Sequence, residues 1–181
     1  MATFTDSNTI LLVSNDGQGF HVTREALRYS NLIRTMLNDD EDDEDSDCDC
    51  TGESIPITNV DGKTLALVVR WMTYHVENKD VYTGGRPNIP KPLLSSNLSH
   101  FLCEWDTAFL TSMENEMLFN MVIAANYLDV PILLDICCAA VASKLTGKSA
   151  EEIRQEFNIV NDFTPEEEEA VIGETEWLVR Q

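Results

Sequence analysis

Basic residues are scarce in this sequence of 181 residues. It contains 12 Lys and Arg against 32 Asp and Glu, which gives a formal net charge of -20 at pH 7. A chain this acidic repels the phosphate backbones of DNA and RNA, so we expect no nucleic acid among its partners. Nine acidic residues lie between Asp39 and Asp49 with no basic residue among them, and ten lie between Glu151 and Glu176.

The first acidic cluster also lacks the glycine that a calcium-binding loop uses for its sharp turn. The first glycine after Asp39 is Gly52, which is too far away for that pattern. We therefore interpret the cluster as a solvated, self-repelling loop and expect no calcium site.

Long apolar runs are missing as well. No run reaches the roughly 18 residues that a membrane-spanning helix needs, and the first residues lack the basic and apolar regions of a signal peptide. Apolar residues still make up 43% of the chain, which is typical of a globular protein. We expect a cytoplasmic and nuclear protein that makes no contact with a membrane.

The cysteines and histidines form no pattern that indicates a metal site or a catalytic centre. The five cysteines are an odd number without a Cys-x-x-Cys pair, so we expect reduced thiols and no metal. His21, His75 and His100 are scattered and have no nucleophilic partner in the local sequence. We expect no cofactor and no enzymatic activity. An enzyme that uses the carboxylate-rich tail is a third hypothesis, which we do not favour because no base, nucleophile or metal set accompanies those carboxylates.

Short β-type runs predict a small sheet near the start of the chain. Ile10–Ser14 reads as a strand, and the turn signal at Asn15–Gly17 returns the chain into a second strand containing Phe20 and Val22. Ile55–Ile57 reads as a third strand, whose central proline favours an edge of the sheet.

Helical patterns fill most of the remaining chain. Thr23 can cap a short helix, and apolar residues repeat at helical spacing from Asp61 onwards. Residues 39–54 and 78–102 break the pattern and read as inserts, the second a loop or a disordered segment. From Glu104 to the end only helices are predicted, so the fold class is α+β.

Two consecutive helices are apolar on nearly every side. Leu118–Ala125 contains a single polar residue, and Pro131–Leu145 contains three. A helix that is apolar all round must be covered all round. Two arrangements remain open: a central hairpin of core helices, or helices that pack on one face and offer the other to a partner.

The last third of the chain carries specific motifs. Ala124–Asp129, Gly147–Arg154, Phe157–Glu169 and the Glu176–Trp177 pair resemble the C-terminal half of the Skp-type adaptors that join F-box proteins to a cullin in SCF ubiquitin ligases. The N-terminal part is similar to a BTB/POZ domain, on weaker motifs: Ser14–Gly17, Ile33–Leu37, Ile57–Val60 and Val69–Trp71.

The resemblance implies a BTB/POZ-type domain over residues 1–130, with inserts at 39–54 and 78–102, and a helical F-box-binding extension over 131–181. It implies a non-catalytic adaptor that bridges a cullin and F-box substrate receptors in ubiquitin-dependent protein degradation. Our alternative hypothesis is a structural BTB-type protein that assembles with itself outside the ligase, so the free protein could be a homodimer.

The resemblance also implies which residues bind each partner. Asn126 and Tyr127 would face the cullin. The F-box protein would contact Leu134, Val141, Ile153, Phe157, Ile159, Phe163 and Trp177, of which Trp177 would close over the partner as an aromatic anchor. For each of these residues, packing within the chain itself is the competing interpretation.

Capping signals explain much of the acidic tail. Ser149 with Glu152, and Thr164 with Glu167, each match the Ser/Thr-x-x-Glu capping box. Pro165 then occupies the first helical position, where its missing N–H costs nothing. The matching proline is hydroxylated in some Skp-type adaptors, but the capping role is our preferred explanation for Pro165.

Some positions depart from the family pattern. Val160 stands where the family has a lysine, and Gly173 is expected to interrupt the last helix at a cost of about 1 kcal/mol relative to alanine. These changes lie on or near the side that the resemblance assigns to the F-box protein. They predict a divergent paralogue.

Overall fold

The computed structural model describes residues 8–37, 54–82, 85–93 and 95–179, with side chains described as far as Gly173. The chain forms two compact units, one ending at Thr146 and the other beginning at Gly147. Each unit is described by itself. The predicted domain boundary between residues 130 and 131 stays a prediction.

The first unit contains a three-stranded sheet. Its strands are β1 (Thr9–Ser14), β2 (Gly19–Thr23) and β3 (Ser54–Ile57), in the order β2-β1-β3. The turn between β1 and β2 requires Gly17, whose φ of 80° is left-handed. β1 pairs antiparallel with β2 and parallel with β3, so the prediction of an edge strand around Pro56 is confirmed.

The described residues of the first unit also form six α-helices: α1 (Arg24–Leu27), α2 (Asn31–Met36), α3 (Gly62–Glu77), α4 (Glu104–Thr111), α5 (Asn115–Tyr127) and α6 (Pro131–Leu145). The predicted cap at Thr23 is confirmed, because its side chain accepts a hydrogen bond from the N–H of Ala26. Asp61 caps α3 in the same way through the N–H of Thr64, at 2.9 Å. The predicted α+β class is confirmed.

The core of the first unit lies where α3 packs between the sheet and α5, with α6 against α5. Its largest fully buried side chains come from every layer. They include Leu12, Leu27, Ile57, Leu65, Trp71, Met121, Leu128 and Leu133. Each such side chain contributes about 1.5–3 kcal/mol of burial free energy.

The two predicted inserts differ in how far they are described. The first, 39–54, lies outside the described residues except for Ser54, which begins β3. The described part of the second, 78–102, is loop apart from a 3-10 turn at Leu98–His100. Leu98 and Leu102 are buried, so the end of this insert contributes to the core of the first unit.

The second unit contains two helices, α7 (Ala150–Glu156) and α8 (Pro165–Val179). The predicted helix interruption at Gly173 is wrong, because α8 continues through it. A single glycine costs about 1 kcal/mol in a helix interior, which the rest of the helix can offset. In the described part of the chain, no helix is long and apolar enough to cross a membrane.

Candidate functional site

One face of α5 carries large apolar side chains that are exposed to solvent. Phe119 is 40% exposed and Ile123 is 61% exposed, while Leu118 and Met121 on the opposite side are fully buried. Asn126 is also exposed. Positions 119, 123 and 126 follow helical spacing and therefore share a face. We name these three residues the α5 stripe. The alternative of a core helix covered on every side is wrong for α5.

The two predicted cullin-binding residues occupy different environments. Asn126 is exposed, and its backbone carbonyl accepts a hydrogen bond from the N–H of Asp129 at 3.1 Å as the helix ends. Tyr127 is partly buried and packs against the core. The Asn126 side chain is therefore accessible to a partner, whereas only part of the Tyr127 side chain is accessible.

Two predicted F-box contacts lie on α6, and both also pack against the core. Leu134 and Val141 are partly buried against it, next to the fully buried Leu133 and Ile136. Cys137 is buried and Cys138 is exposed. Burial raises the pKa of the Cys137 thiol, as it does for a thiol in an apolar setting. Cys137 therefore packs as a small buried hydrophobe.

The predicted F-box contacts in the second unit fall into two groups, one partly buried and one exposed. Ile153 and Phe157 are partly buried, whereas Ile159 is 54% and Phe163 is 50% exposed. Val160, which was not among the predicted contacts, is 82% exposed. Ile159, Val160 and Phe163 lie in the connection between α7 and α8, and we name them the 159–163 patch. Trp177 belongs to α8, but its side chain lies outside the described residues.

Polar contacts hold the connection that carries this patch. Asn158 has a left-handed φ of 52°, and the N–H of Ile159 donates to the carbonyl of Arg154 at 2.8 Å. Arg154 Nη1 and Asn161 Nδ2 both donate to Glu168 Oε1, at 3.1 and 3.3 Å. These groups line a depression of about 400 Å³. The segment is therefore tied to both helices by groups other than its apolar side chains.

Both capping boxes in this unit are confirmed. The N–H of Ser149 donates to Glu152 Oε2 at 2.7 Å, and the N–H of Glu152 donates back to Ser149 Oγ at 3.3 Å. The same reciprocal bonds join Thr164 and Glu167, at 2.9 and 3.4 Å. The hydrogen bonds from the caps hold the pKa of each glutamate below its usual value.

Pro165 follows the Thr164 cap at the start of α8. This position agrees with the capping explanation for the proline. Its hydroxylation stays a prediction.

A buried polar cluster was missed by the sequence analysis. Asp106 on α4 is fully buried, and its Oδ1 accepts hydrogen bonds from Trp71 Nε1 at 2.9 Å and His75 Nε2 at 3.1 Å. Its Oδ2 accepts from the hydroxyl of Tyr82 and from Cys103 Sγ, the latter at 3.3 Å. We name these five residues the Asp106 cluster. It ties α3, α4 and the second insert together.

The ionisation of the cluster follows from these bonds. Burial alone would raise the pKa of Asp106, but hydrogen bonds from His75 and Tyr82 outweigh it and lower the pKa below its usual value. Burial raises the pKa of the Cys103 thiol. The carboxylate lies between this thiol and the imidazole, and each bonds a different oxygen of it. The arrangement is therefore not that of a thiol activated by a histidine base, which needs a direct contact between the two.

A sequence signal for this cluster did exist. Trp71 and His75 are four residues apart on α3, on the same buried face as Leu65 and Met72. Buried indole and imidazole N–H groups need acceptors, so a buried carboxylate or carbonyl could have been expected opposite them. Among the described residues, no group of three or more His, Cys, Asp or Glu side chains could hold a metal ion.

Comparison with known proteins shows which family and which relatives the chain is similar to. Residues 8–77 match the Skp1 family, tetramerisation domain, and residues 131–178 match the Skp1 family, dimerisation domain. The chain is 42% identical over 171 residues to the E3 ubiquitin ligase complex SCF subunit sconC of Aspergillus clavatus, which covers 94% of this chain and 98% of that protein. It is 40% identical over 173 residues to the protein of the same name from Arthroderma benhamiae, with 96% of each chain covered. The protein of that name from Neosartorya fischeri is 43% identical over 169 residues, which covers 93% of this chain and 97% of that protein.

Both halves of the chain thus match one family, and the match to its curated members extends over nearly the full length of both chains. The chain belongs to the Skp1 family.

Proposed function

We propose that this chain is a non-catalytic adaptor of an SCF-type E3 ubiquitin ligase, in which it joins a cullin to F-box substrate receptors for ubiquitin-dependent protein degradation. The observation that carries the proposal is the identity of 42% to a protein named as an SCF subunit, over 94% of this chain. An adaptor needs two separate docking surfaces, one for each partner. The α5 stripe and the 159–163 patch, in different compact units, are suited to those two roles.

The α5 stripe supports the cullin side of the proposal. Phe119 and Ile123 are 40% and 61% exposed, so a partner that covers them gains the corresponding part of the about 1.5–3 kcal/mol that full burial of such a side chain contributes. The exposed amide of Asn126 adds a polar group on the same face, which can fix the register of the partner. Tyr127 would contribute the part of its ring that the core leaves uncovered.

The second unit supports the F-box side. Ile159 and Phe163 are about half exposed, and they would form the centre of the contact. Ile153 and Phe157, which are partly buried, would support that centre. Leu134 and Val141 would add the faces that the core leaves uncovered, and Trp177 would close over the partner.

The Asp106 cluster supports an adaptor rather than an enzyme. Its nucleophilic group, the Cys103 thiol, donates to Asp106 and accepts the N–H of Asp106 at 3.3 Å as the cap of α4. The candidate base, His75, is also bonded to Asp106. Each group is thus engaged in holding the fold. We further propose that the adaptor acts in the cytoplasm and the nucleus.

Co-purification with a cullin and an F-box protein tests the proposal. The variant is Ile123→Lys with Asn126→Lys, because both side chains are exposed and neither change should disturb the core. We leave Tyr127 unchanged because it packs against the core, so its loss would confuse docking with folding. The expected result is loss of the cullin with retention of the F-box protein.

The matched control is Thr73→Lys with Thr111→Lys, which adds the same two charges at exposed positions on α3 and α4. This control should retain both partners. If the cullin co-purifies with the α5-stripe variant in the same yield as with the wild-type chain, the assignment of the cullin surface is wrong. A stable dimer that binds neither partner would favour the self-assembling alternative.

A further inference from the structure

Val160 is an unusual side chain for its position. It is 82% exposed, more than any other large apolar side chain among the described residues. Ile159 and Phe163 beside it are about half exposed. An aliphatic side chain held this far into solvent gains nothing from the fold of its own unit, so its apolar surface is fully available to a partner.

The fold keeps the 159–163 patch from collapsing inward. The backbone beneath it is fixed by the bond from Ile159 to Arg154 and by the contacts of Arg154 and Asn161 with Glu168. The side chains of Ile159, Val160 and Phe163 remain exposed on this fixed backbone. A preorganised surface of this kind loses less conformational entropy when a partner binds.

The charges around the patch are predominantly negative. Residues 147–173 contain eight carboxylates and two basic side chains, an excess of six carboxylates. Both basic side chains are already paired within the unit: Lys148 Nζ lies 3.0 Å from Glu156 Oε2, and Arg154 Nη1 lies 3.1 Å from Glu168 Oε1. The apolar patch is therefore surrounded by negative potential that this part of the chain does not neutralise.

We propose that Val160 is a specificity-determining contact and that the 159–163 patch selects F-box segments whose apolar face is flanked by Lys or Arg. This inference rests on the proposed function and names the class of F-box partner that the same surface accepts. Apolar burial against Val160 would supply affinity, and the flanking cations would meet the excess carboxylates. Charge complementarity of this kind speeds association and disfavours partners with acidic flanks.

Binding measurements with the full chain test the inference. The probe is a recombinant F-box domain with Lys and Arg beside its apolar contact helix, together with a form of the same domain in which those residues are changed to Glu. Dissociation constants are measured by calorimetry at 50 and 300 mM NaCl. The basic form should bind, should weaken about threefold to tenfold at the higher salt because exposed charges are screened, and should bind better than the acidic form.

Val160→Lys should weaken binding of the basic form about tenfold, since the apolar contact is lost and a like charge is added. Val160→Thr, which keeps the branched shape, should weaken it by a smaller factor. Thr73→Lys is the matched control, because it adds the same charge at an exposed position of the first unit, and it should change the dissociation constant less than twofold.

Three results would overturn the inference while leaving the proposed function intact. The first is an unchanged dissociation constant for Val160→Lys. The second is equal affinity for the basic and acidic forms. The third is a wild-type dimer, seen by light scattering, that Val160→Lys dissociates, because a second copy would then occupy the patch. Failure of the wild-type chain to bind either form would instead refute the proposed function, and the inference with it.

Discussion

Replacement of Asp106 by asparagine tests whether the buried polar cluster holds the first unit together. The carboxylate is fully buried and accepts hydrogen bonds from four side chains. Hydrogen bonds to a charged group contribute about 1.5–3 kcal/mol each, against about 0.5–1.5 kcal/mol for neutral pairs. Asparagine keeps the shape but removes the charge and one of the two acceptor oxygens.

The hydrogen-bond donors around Asp106 determine how the amide of an asparagine would be oriented at this position. The donors at Oδ1 are the N–H groups of Trp71 and His75, and the indole cannot become an acceptor. The donors at Oδ2 are the hydroxyl of Tyr82 and the thiol of Cys103, which can rotate and accept from the new amide. The remaining carbonyl should therefore face Trp71. The lost charge-assisted bonds are offset in part because a neutral amide is cheaper to bury than a carboxylate. We expect a net destabilisation of about 2–4 kcal/mol.

Urea unfolding followed by tryptophan fluorescence measures this loss. Trp177→Phe serves as the background, so that the signal comes from Trp71 and Trp105 of the first unit alone. Tyr82→Phe is the graded control, because it leaves the carboxylate and removes one hydroxyl, which donates to Asp106 and accepts from the N–H of Cys103 at 3.2 Å. It should cost about 1–2 kcal/mol. A loss below about 1 kcal/mol for Asp106→Asn would refute the view that this cluster is a main support of the fold.

The pH dependence provides an independent check on the same residue. The pKa of Asp106 is lowered in the folded protein, so its contribution to stability is complete above the unfolded value of about 3.9 and is lost as the pH falls through the folded pKa. The stability gap between the wild-type chain and Asp106→Asn should therefore narrow as the pH falls below about pH 4. A gap that stays the same down to about pH 2 would contradict the ionised state of this carboxylate.

Two further predictions follow from burial and capping. Cys137→Ser should destabilise the first unit by about 1–2 kcal/mol because it places a hydroxyl in a buried apolar site. Cys138→Ser, at the exposed neighbouring position, should change the free energy of unfolding by less than about 0.5 kcal/mol. Urea unfolding compares the two variants, and equal losses of stability would contradict the assigned burial. Ser149→Ala should cost about 1 kcal/mol of local stability in α7 by removing the cap, which hydrogen exchange of the α7 amides measures against Ser149→Asp, a residue that can still cap. Unchanged protection of α7 in Ser149→Ala would show that the capping box does not stabilise that helix.

The secondary structure could be predicted well because its signals are local. The hairpin at Asn15–Gly17, the cap at Thr23 and the two capping boxes each depend on residues within four positions of one another. The structure confirms all of these. The interruption expected at Gly173 failed because helix propensity is a weak term, and one glycine does not decide the state of a 15-residue helix.

The positions of the docking residues were harder to predict from the sequence. On α5, a nearly uniform apolar sequence contains no polar face that marks the solvent side, so the exposure of Phe119 and Ile123 depends on how α3 and α6 pack against the helix. The Asp106 cluster escaped notice for a related reason. Its members Trp71, Tyr82 and Asp106 are separated by 11 and 24 residues, and only tertiary structure brings them together.

The separation of the chain into two compact units bears on how these sites can be tested together. Asp106 has all its hydrogen-bond partners in the first unit, and the segment around Val160 is held by Arg154, Asn161 and Glu168 of the second. Among the described residues, none of the side chains that donate to Asp106 also bonds to Glu168. Mutational effects at sites that share no partners add to within about 0.3–0.5 kcal/mol. The loss of F-box affinity from Val160→Lys should therefore be the same in the wild-type and Asp106→Asn backgrounds, provided that both proteins are folded at the temperature of the measurement. A coupling beyond that range would mean that the core of the first unit sets the geometry of the 159–163 patch.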